Sequence, residues 1–304
     1  MSFEIPPGKE RFFVDTRQKI ELLIRRGVLN GIKKYELQGW LNNFEGDRGC
    51  YLAAHLLDAL IYRSPDMLRS MRRHMLEMQL AAKLQCSGYI PQSCMVDFLK
   101  GIKEGGEDLP LRFVAVDGDF EATPGKSGAV LVRDFRQDGL INKNITIRPQ
   151  DVLNMPAHVK WLVLVDDFVG TGRQAEKFFN YYNVESWSKD RNVILLSFMA
   201  HEDGVRKIAE DFPYVLFDCA EVLSSSHGFF YSSASTGLWS RDGYNVAEDV
   251  IDFYRDILRN KGVSYKRKKF DLDLTISFSR TIPNNTLKAY WSSQGTWCPL
   301  INRG

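Results

Sequence analysis

The chain has 304 residues, with 40 Lys plus Arg set against 38 Asp plus Glu. That length suits one large domain or two modest ones and can bury a substantial core, while so even a charge balance makes no global electrostatic case for nucleic acid. No apolar run is long enough to cross a bilayer, and the five cysteines (Cys50, Cys86, Cys94, Cys219, Cys298) have no CxxC spacing, which with no signal-peptide pattern points to a reducing cytoplasm and no structural zinc.

The first third reads as helical. After Pro6-Pro7, Val14 to Leu29 carries Ile20, Leu22, Leu23 and Ile24 among charges and stops near Gly31. Tyr35 to Phe44 is a second short amphipathic segment, and Tyr51 to Tyr62 is apolar almost all round, as a buried helix is. Ser64-Pro65 reads as N-cap and first turn of the next helix. There Met67, Met71, Met75 and Met78 recur at intervals of three and four, a face read as core packing or as an adaptable partner surface. Arg69, Arg72, Arg73 and His74 project elsewhere and read as a solvated face, or as a contact for an acidic partner. Pro91 breaks the pattern, Ser93 to Ile102 makes one more helix, and Gly105-Gly106 marks a seam. The expected division is a helical region over 1–106 and an α/β domain over 107–304.

From Leu111 the texture changes. Arg112 to Asp117 reads as a strand, Gly118 to Gly125 as a loop, and Ala129 to Phe135 as an apolar helix. Gly125-Lys126-Ser127 invites a Walker A reading, but the required first glycine would fall at Phe120. Gly139 to Pro149 is a loop holding a short strand, Ile145 to Ile147. Trp161 to Val165 is a Val- and Leu-rich run that reads as a buried parallel strand, with Asp166 and Asp167 where it stops. Phe168 to Arg173 is a turn with Gly170 and Gly172 around Thr171, and Gln174 to Asn180 reads as a helix. In open α/β sheets ligands collect at the carboxyl ends of strands, and the N–H groups of a helix start suit a phosphate. Val193 to Phe198, Gly204 to Asp211 and Tyr214 to Phe217 continue the strand–helix alternation, which argues for a parallel sheet with right-handed crossovers.

Ser224 to Gly237 is a loop rich in Ser and in Phe229, Phe230 and Tyr231; it reads as a plain surface loop or as an aromatic flap over a site. Asn245 and Glu248 look like a capping box, followed by a helix with Val246, Val250, Tyr254, Ile257 and Leu258 on one stripe. Lys266 to Lys269 is a short basic run, read as solvated. Phe270, Leu272, Leu274, Ile276 and Phe278 alternate strictly, which predicts a half-buried strand. Trp291 and Trp297 so near the end predict a tail docked on the body.

The stretch from Trp161 to Gln174 resembles the signature of the type I phosphoribosyltransferases: an apolar strand, two acids, a short loop ending in Thr-Gly, and a helix. The resemblance implies that Asp166 and Asp167 hold the two ribose hydroxyls of a phosphoribosyl group. It implies that the backbone of Val169, Gly170, Thr171, Gly172 and Arg173, with the Thr171 hydroxyl, holds the 5-phosphate. The pattern departs at Gln174, where the family carries Thr or Ser; an amide donor replaces a hydroxyl. In the same family the loop after the first strand binds pyrophosphate, which makes Lys126, Ser127 and Gly128 candidates for that role. Mg²⁺ is expected to come with the ligand, touching at most Asp166 and Asp167.

The tail sharpens the resemblance. Pro283-Asn-Asn-Thr-Leu287, Trp291, then Trp297-Cys-Pro-Leu300 and Arg303 are similar to a phosphoribosyltransferase-like family of bacterial conflict systems, including some retrons, with a helical region ahead of the core. That resemblance implies an effector of anti-phage defence with partners such as a reverse transcriptase and its DNA. Three functions follow. The first is a Mg²⁺-dependent enzyme that cleaves or transfers at ribose C1 of phosphoribosyl pyrophosphate or a nucleotide. The second is a non-catalytic nucleotide sensor. The third is a scaffold of a nucleic-acid complex, resting on Arg69, Arg72, Arg73 and the basic run.

Overall fold

A computed structural model describes residues 3–89, 94–116, 127–233, 236–239, 244–266 and 271–302. In chain order it contains α1 (Phe12–Arg25), α2 (Lys34–Leu41), α3 (Gly46–Asp58), β1 (Ile61–Arg63), α4 (Pro65–His74), a π-helical turn (Met75–Leu80), α5 (Ala81–Cys86) and α6 (Met95–Glu104). Then come β2 (Leu111–Ala115), α7 (Ser127–Gln137), β3 (Thr146–Ile147), β4 (Trp161–Val169), α8 (Arg173–Tyr181) and α9 (Val184–Ser188). β5 (Asn192–His201), α10 (Glu202–Asp211), β6 (Val215–Leu223), α11 (Ala247–Asn260) and β7 (Ile276–Phe278) complete it. Among the described residues no helix is long and apolar enough to cross a membrane.

The chain forms two compact units, Met1–Pro65 with Ser224–Gly304, and Asp66–Leu223. This differs from the expected division near residue 106, and the cause is pairing between distant segments. β1 pairs in parallel with β7, Ile61 opposite Ile276, so the first region is not wholly helical. The Asn43 side chain donates to the Cys298 carbonyl at 2.8 Å and accepts from the Cys298 N–H at 3.0 Å. The indoles of Trp40 and Trp297 both donate to the Ala289 carbonyl, and the Tyr290 hydroxyl donates to the Leu56 carbonyl. The tail is therefore docked, and α1–α3 share one core with it and α11.

Three expectations for this unit are corrected. Phe229 and Phe230 are buried, and the Trp239 indole donates to the Phe229 carbonyl; these rings are core, not a flap. The residue before α11 is Val246, which is exposed; Asn245 is buried and exchanges hydrogen bonds with the backbone of Glu4 rather than boxing the helix. The alternating run forms a strand only at Ile276–Phe278, because Asp273 turns to φ +49° and ends the extended run before it. From 273 to 278 every residue is buried, the Thr275 hydroxyl donating to the Ala59 carbonyl and the Ser277 hydroxyl to the Phe278 carbonyl. Phe270 and the three residues before it, Arg267, Lys268 and Lys269 of the basic run, lie outside the described residues.

The second unit is built on a wholly parallel five-stranded sheet in the order β3-β2-β4-β5-β6. Leu162, Leu164, Val193 and Leu195 face Phe178, Trp187 and Ile208 of α8, α9 and α10. A sheet covered by crossover helices explains why its strands read as continuous apolar runs. The π turn packs against β5 and β6. The methionines do not share one face: Met75 is buried, while Met67, ahead of the turn, and Met78, within it, are 43% and 61% exposed. Arg72 is also not solvated. It is 6% exposed, donating from Nε to Asp138 Oδ2 at 2.7 Å, and its guanidinium pairs with Asp134 of α7 and with Asp138, which follows that helix.

Candidate functional site

β4 is the middle strand, and it does not stop at the acids. Asp166 lies opposite Ser197, and pairing with β5 continues through Phe168–Met199 to Val169–Ala200. Backbone hydrogen bonding ignores side-chain polarity, so the ladder carries two carboxylates into its last rows. Asp166 is 2% and Asp167 8% exposed. Burying carboxylates is costly unless they are hydrogen-bonded. Asp166 Oδ1 accepts the Asp167 N–H at 2.9 Å, and Asp166 Oδ2 accepts from the Gln174 amide at 3.4 Å. The amide of Gln174 thus reaches back to Asp166.

Gly170 and Thr171 carry the chain from β4 to α8, with Gly172 as the residue before the helix at φ +75°. That left-handed conformation is one glycine takes freely. Val169 is buried at 3% exposure, so its contribution to any ligand is through backbone, whereas Arg173 is exposed. The strand end, acid pair, turn and helix start come together as the sequence predicts. The arrangement offers carboxylate acceptors beside a helix N-terminus, a pairing suited to a ligand with hydroxyls and an anionic group.

Of the pyrophosphate-loop candidates, Lys126 lies outside the described residues and Ser127 opens α7. Gly128 is pressed against the end of β2. A Cβ there would overlap the Val116 carbonyl oxygen and stand 2.9 Å from its N and C atoms. Close helix–strand packing therefore demands glycine at this position whatever the loop binds.

The sequence predicts a helix over Gly204 to Asp211, and α10 is that helix, but its packing against the turn after β4 was not read. His201 ends β5 and caps this helix, its Nδ1 accepting the Asp203 N–H at 3.2 Å. One turn on, a Cβ at Gly204 would overlap the Gly170 carbonyl oxygen and stand 2.9 Å from both the Val169 oxygen and its Cγ1. A further turn on, Lys207 lays its methylenes along Gly172: a Cβ at that glycine would meet Lys207 Cδ at 3.2 Å. Lys207 Nζ pairs with Asp211 at 2.6 Å and with Glu176 of α8 at 3.1 Å. Asp211 first, and Glu176 with it, hold the ammonium above its ordinary pKa, so it stays charged. The only local signal was a glycine in the first turn of an otherwise ordinary helix.

Among the described residues no three His, Cys, Asp or Glu side chains gather to hold a metal ion. A family model described as PRTase-CE matches residues 37–303, most of the chain. No curated protein matches it.

Proposed function

The chain belongs to the PRTase-CE family, which is phosphoribosyltransferase-like, and on that premise we propose that it binds a phosphoribosyl compound and cleaves or transfers at ribose C1. The observation that carries this is the buried Asp166–Asp167 pair at the end of a central parallel strand, one short turn from the start of α8. In this proposal the two carboxylates accept hydrogen bonds from the ribose hydroxyls and set a negative field beside the sugar, which gains positive charge as the bond to pyrophosphate breaks. The backbone of residues 169–173 and the Thr171 hydroxyl donate to the 5-phosphate, assisted by the dipole of α8. Lys126, Ser127 and Gly128 follow β2 and take the departing pyrophosphate.

A pair of carboxylates fits Mg²⁺, a hard cation usually held by one or two carboxylates plus substrate phosphates. Asp166 and Asp167 would hold it with oxygens of the ligand, and it would supply charge neutralisation to the leaving pyrophosphate. The test is turnover. Labelled phosphoribosyl pyrophosphate with Mg²⁺ is incubated with nucleobases, nucleic acid or water alone as acceptor, and pyrophosphate release is followed. We expect release by the wild type and none by a folded Asp167→Asn variant; full activity in that variant would contradict the proposal.

A second reading is favoured by one observation. Both Asp166 oxygens already accept hydrogen bonds from within the chain, which suits a pocket that binds and senses a nucleotide without reacting. Saturable binding with no product from any ribosyl donor would select it. The role in anti-phage defence, with partners such as a reverse transcriptase and its DNA, rests on the resemblance of the Pro283–Leu287 and Trp297–Arg303 tail. Phage plating on cells carrying the locus, with and without Asp167→Asn, tests it: protection that survives the substitution would separate defence from this site.

A further inference from the structure

The phosphate-loop candidate is held from below by a helix that no signature motif includes. α10 follows β5 with no intervening loop, and Ala200, two residues before it, pairs with Val169. The start of α10 is thus fixed relative to the end of β4. His201, Gly204 and Lys207 recur every three residues and so lie along one side of the helix start. Gly204 abuts Val169 and Gly170, where the loop begins. Lys207 crosses Gly172, where the loop ends, and its ammonium goes on to Glu176 in the first turn of α8.

We propose that α10 is the platform that sets the conformation of the loop over residues 169–173, with Gly204 and Lys207 as positioning residues for the anion bound there. This rests on the phosphoribosyl reading for the identity of the anion, but not for the mechanics. Any side chain at Gly204 must displace backbone, because the atoms it meets include two carbonyl oxygens and not the end of a flexible chain. Ordinary carbon contacts need about 3.5 Å, so relief takes a shift on the order of 1 Å. A misplacement of that size at an oriented site can cost on the order of a hundredfold in rate. Lys207 works differently: its stem packs on the loop while its charge ties α10 to α8, and the two contributions separate by substitution.

The experiment combines amide hydrogen exchange of the ligand-free protein with calorimetric binding of phosphoribosyl pyrophosphate and Mg²⁺, for the wild type, Gly204→Ala, Lys207→Met and Lys207→Ala. Lys207 is only part-buried, so its variants keep the test usable if Gly204→Ala fails to fold. We expect exchange at residues 170–173 to rise by about tenfold or more in Gly204→Ala and Lys207→Ala. Lys207→Met, which keeps the stem, should show less. Exchange in the middle of β4 and β5 should stay at the wild-type rate, which a merely structural loss of stability would not allow. Affinity should fall in the order of the loop exchange. Unchanged exchange at 170–173, or an equal rise throughout β4 and β5, overturns the platform. A wild type that ignores the ligand while its variants loosen the loop overturns the phosphoribosyl reading and leaves the platform standing.

Discussion

Replacing Arg72 by Met should destabilise the second unit strongly. The guanidinium is 7% exposed and faces two carboxylates, Asp134 of α7 at 15% and Asp138, just after that helix, at 14%. Nε donates to Asp138 Oδ2 at 2.7 Å, Nη2 pairs with the same oxygen at 2.6 Å, and Nη1 stands 3.7 Å from Asp134 Oδ2. Methionine keeps most of the volume but leaves two like charges facing each other in a partly dry site, and Arg69, 3.4 Å from Asp138 but 57% exposed, replaces little of the lost field. Removing one partner of such a buried pair costs about 3–5 kcal/mol. For a unit of this size each kcal/mol lowers the melting temperature by roughly 2–4 °C, so a fall of roughly 6–20 °C is expected. Calorimetric unfolding at neutral pH measures it. The double variant Arg72→Met/Asp138→Asn should recover part of the loss by removing one stranded charge. A drop under about 1 kcal/mol, the range of surface pairs, would show that Arg72 is solvated after all.

Gln79 sits in the π turn at 5% exposure, and among the described residues neither of its amide atoms has a hydrogen-bond partner. Gln79→Met should therefore raise stability by about 1–3 kcal/mol in urea titration, the cost of a buried polar group left unmade; a loss of stability would reveal a partner for the amide. Burial, with the Asp218 charge next, pushes the Cys219 thiol up to about 11. The thiolate is the reactive form, so at pH 8 iodoacetamide should modify the exposed Cys86, Cys94 and Cys298 well before Cys219, and the rate at Cys219 should climb as pH rises towards that value. Equal labelling at pH 8, read by mass spectrometry of the folded protein, would refute the burial.

The parallel sheet was legible because its strands are buried on both faces and stand out as apolar runs between turn residues. Leu111–Ala115, Trp161–Val165 and Val193–Phe198 all lie in strands near the predicted bounds. The end of β4 was not legible, since Asp166 and Asp167 stay in the strand through pairing with a neighbour 31 residues away, Ser197 opposite Asp166. The division into units was hidden for the same reason: nothing local near Ile61 announces that it pairs with Ile276. Arg72 read as surface because a helix with three basic residues in a row looks solvated, yet its partners, Asp134 in α7 and Asp138 in the turn that ends it, are four apart, a spacing that puts them on one face. The acid pair and the Gly-Thr-Gly turn were fully visible, being contiguous. Gly204 and Lys207 act on that turn from another crossover, and only the fold brings them to it.

The most direct measurement is calorimetric binding of phosphoribosyl pyrophosphate with Mg²⁺ to the wild type and to Asp166→Asn/Asp167→Asn, with thermal unfolding of both to show that the variant is folded. Saturable binding by the wild type and its loss in a folded variant is the expected result. Equal affinity in the two proteins, or no binding by the wild type, would contradict a phosphoribosyl site at the end of β4.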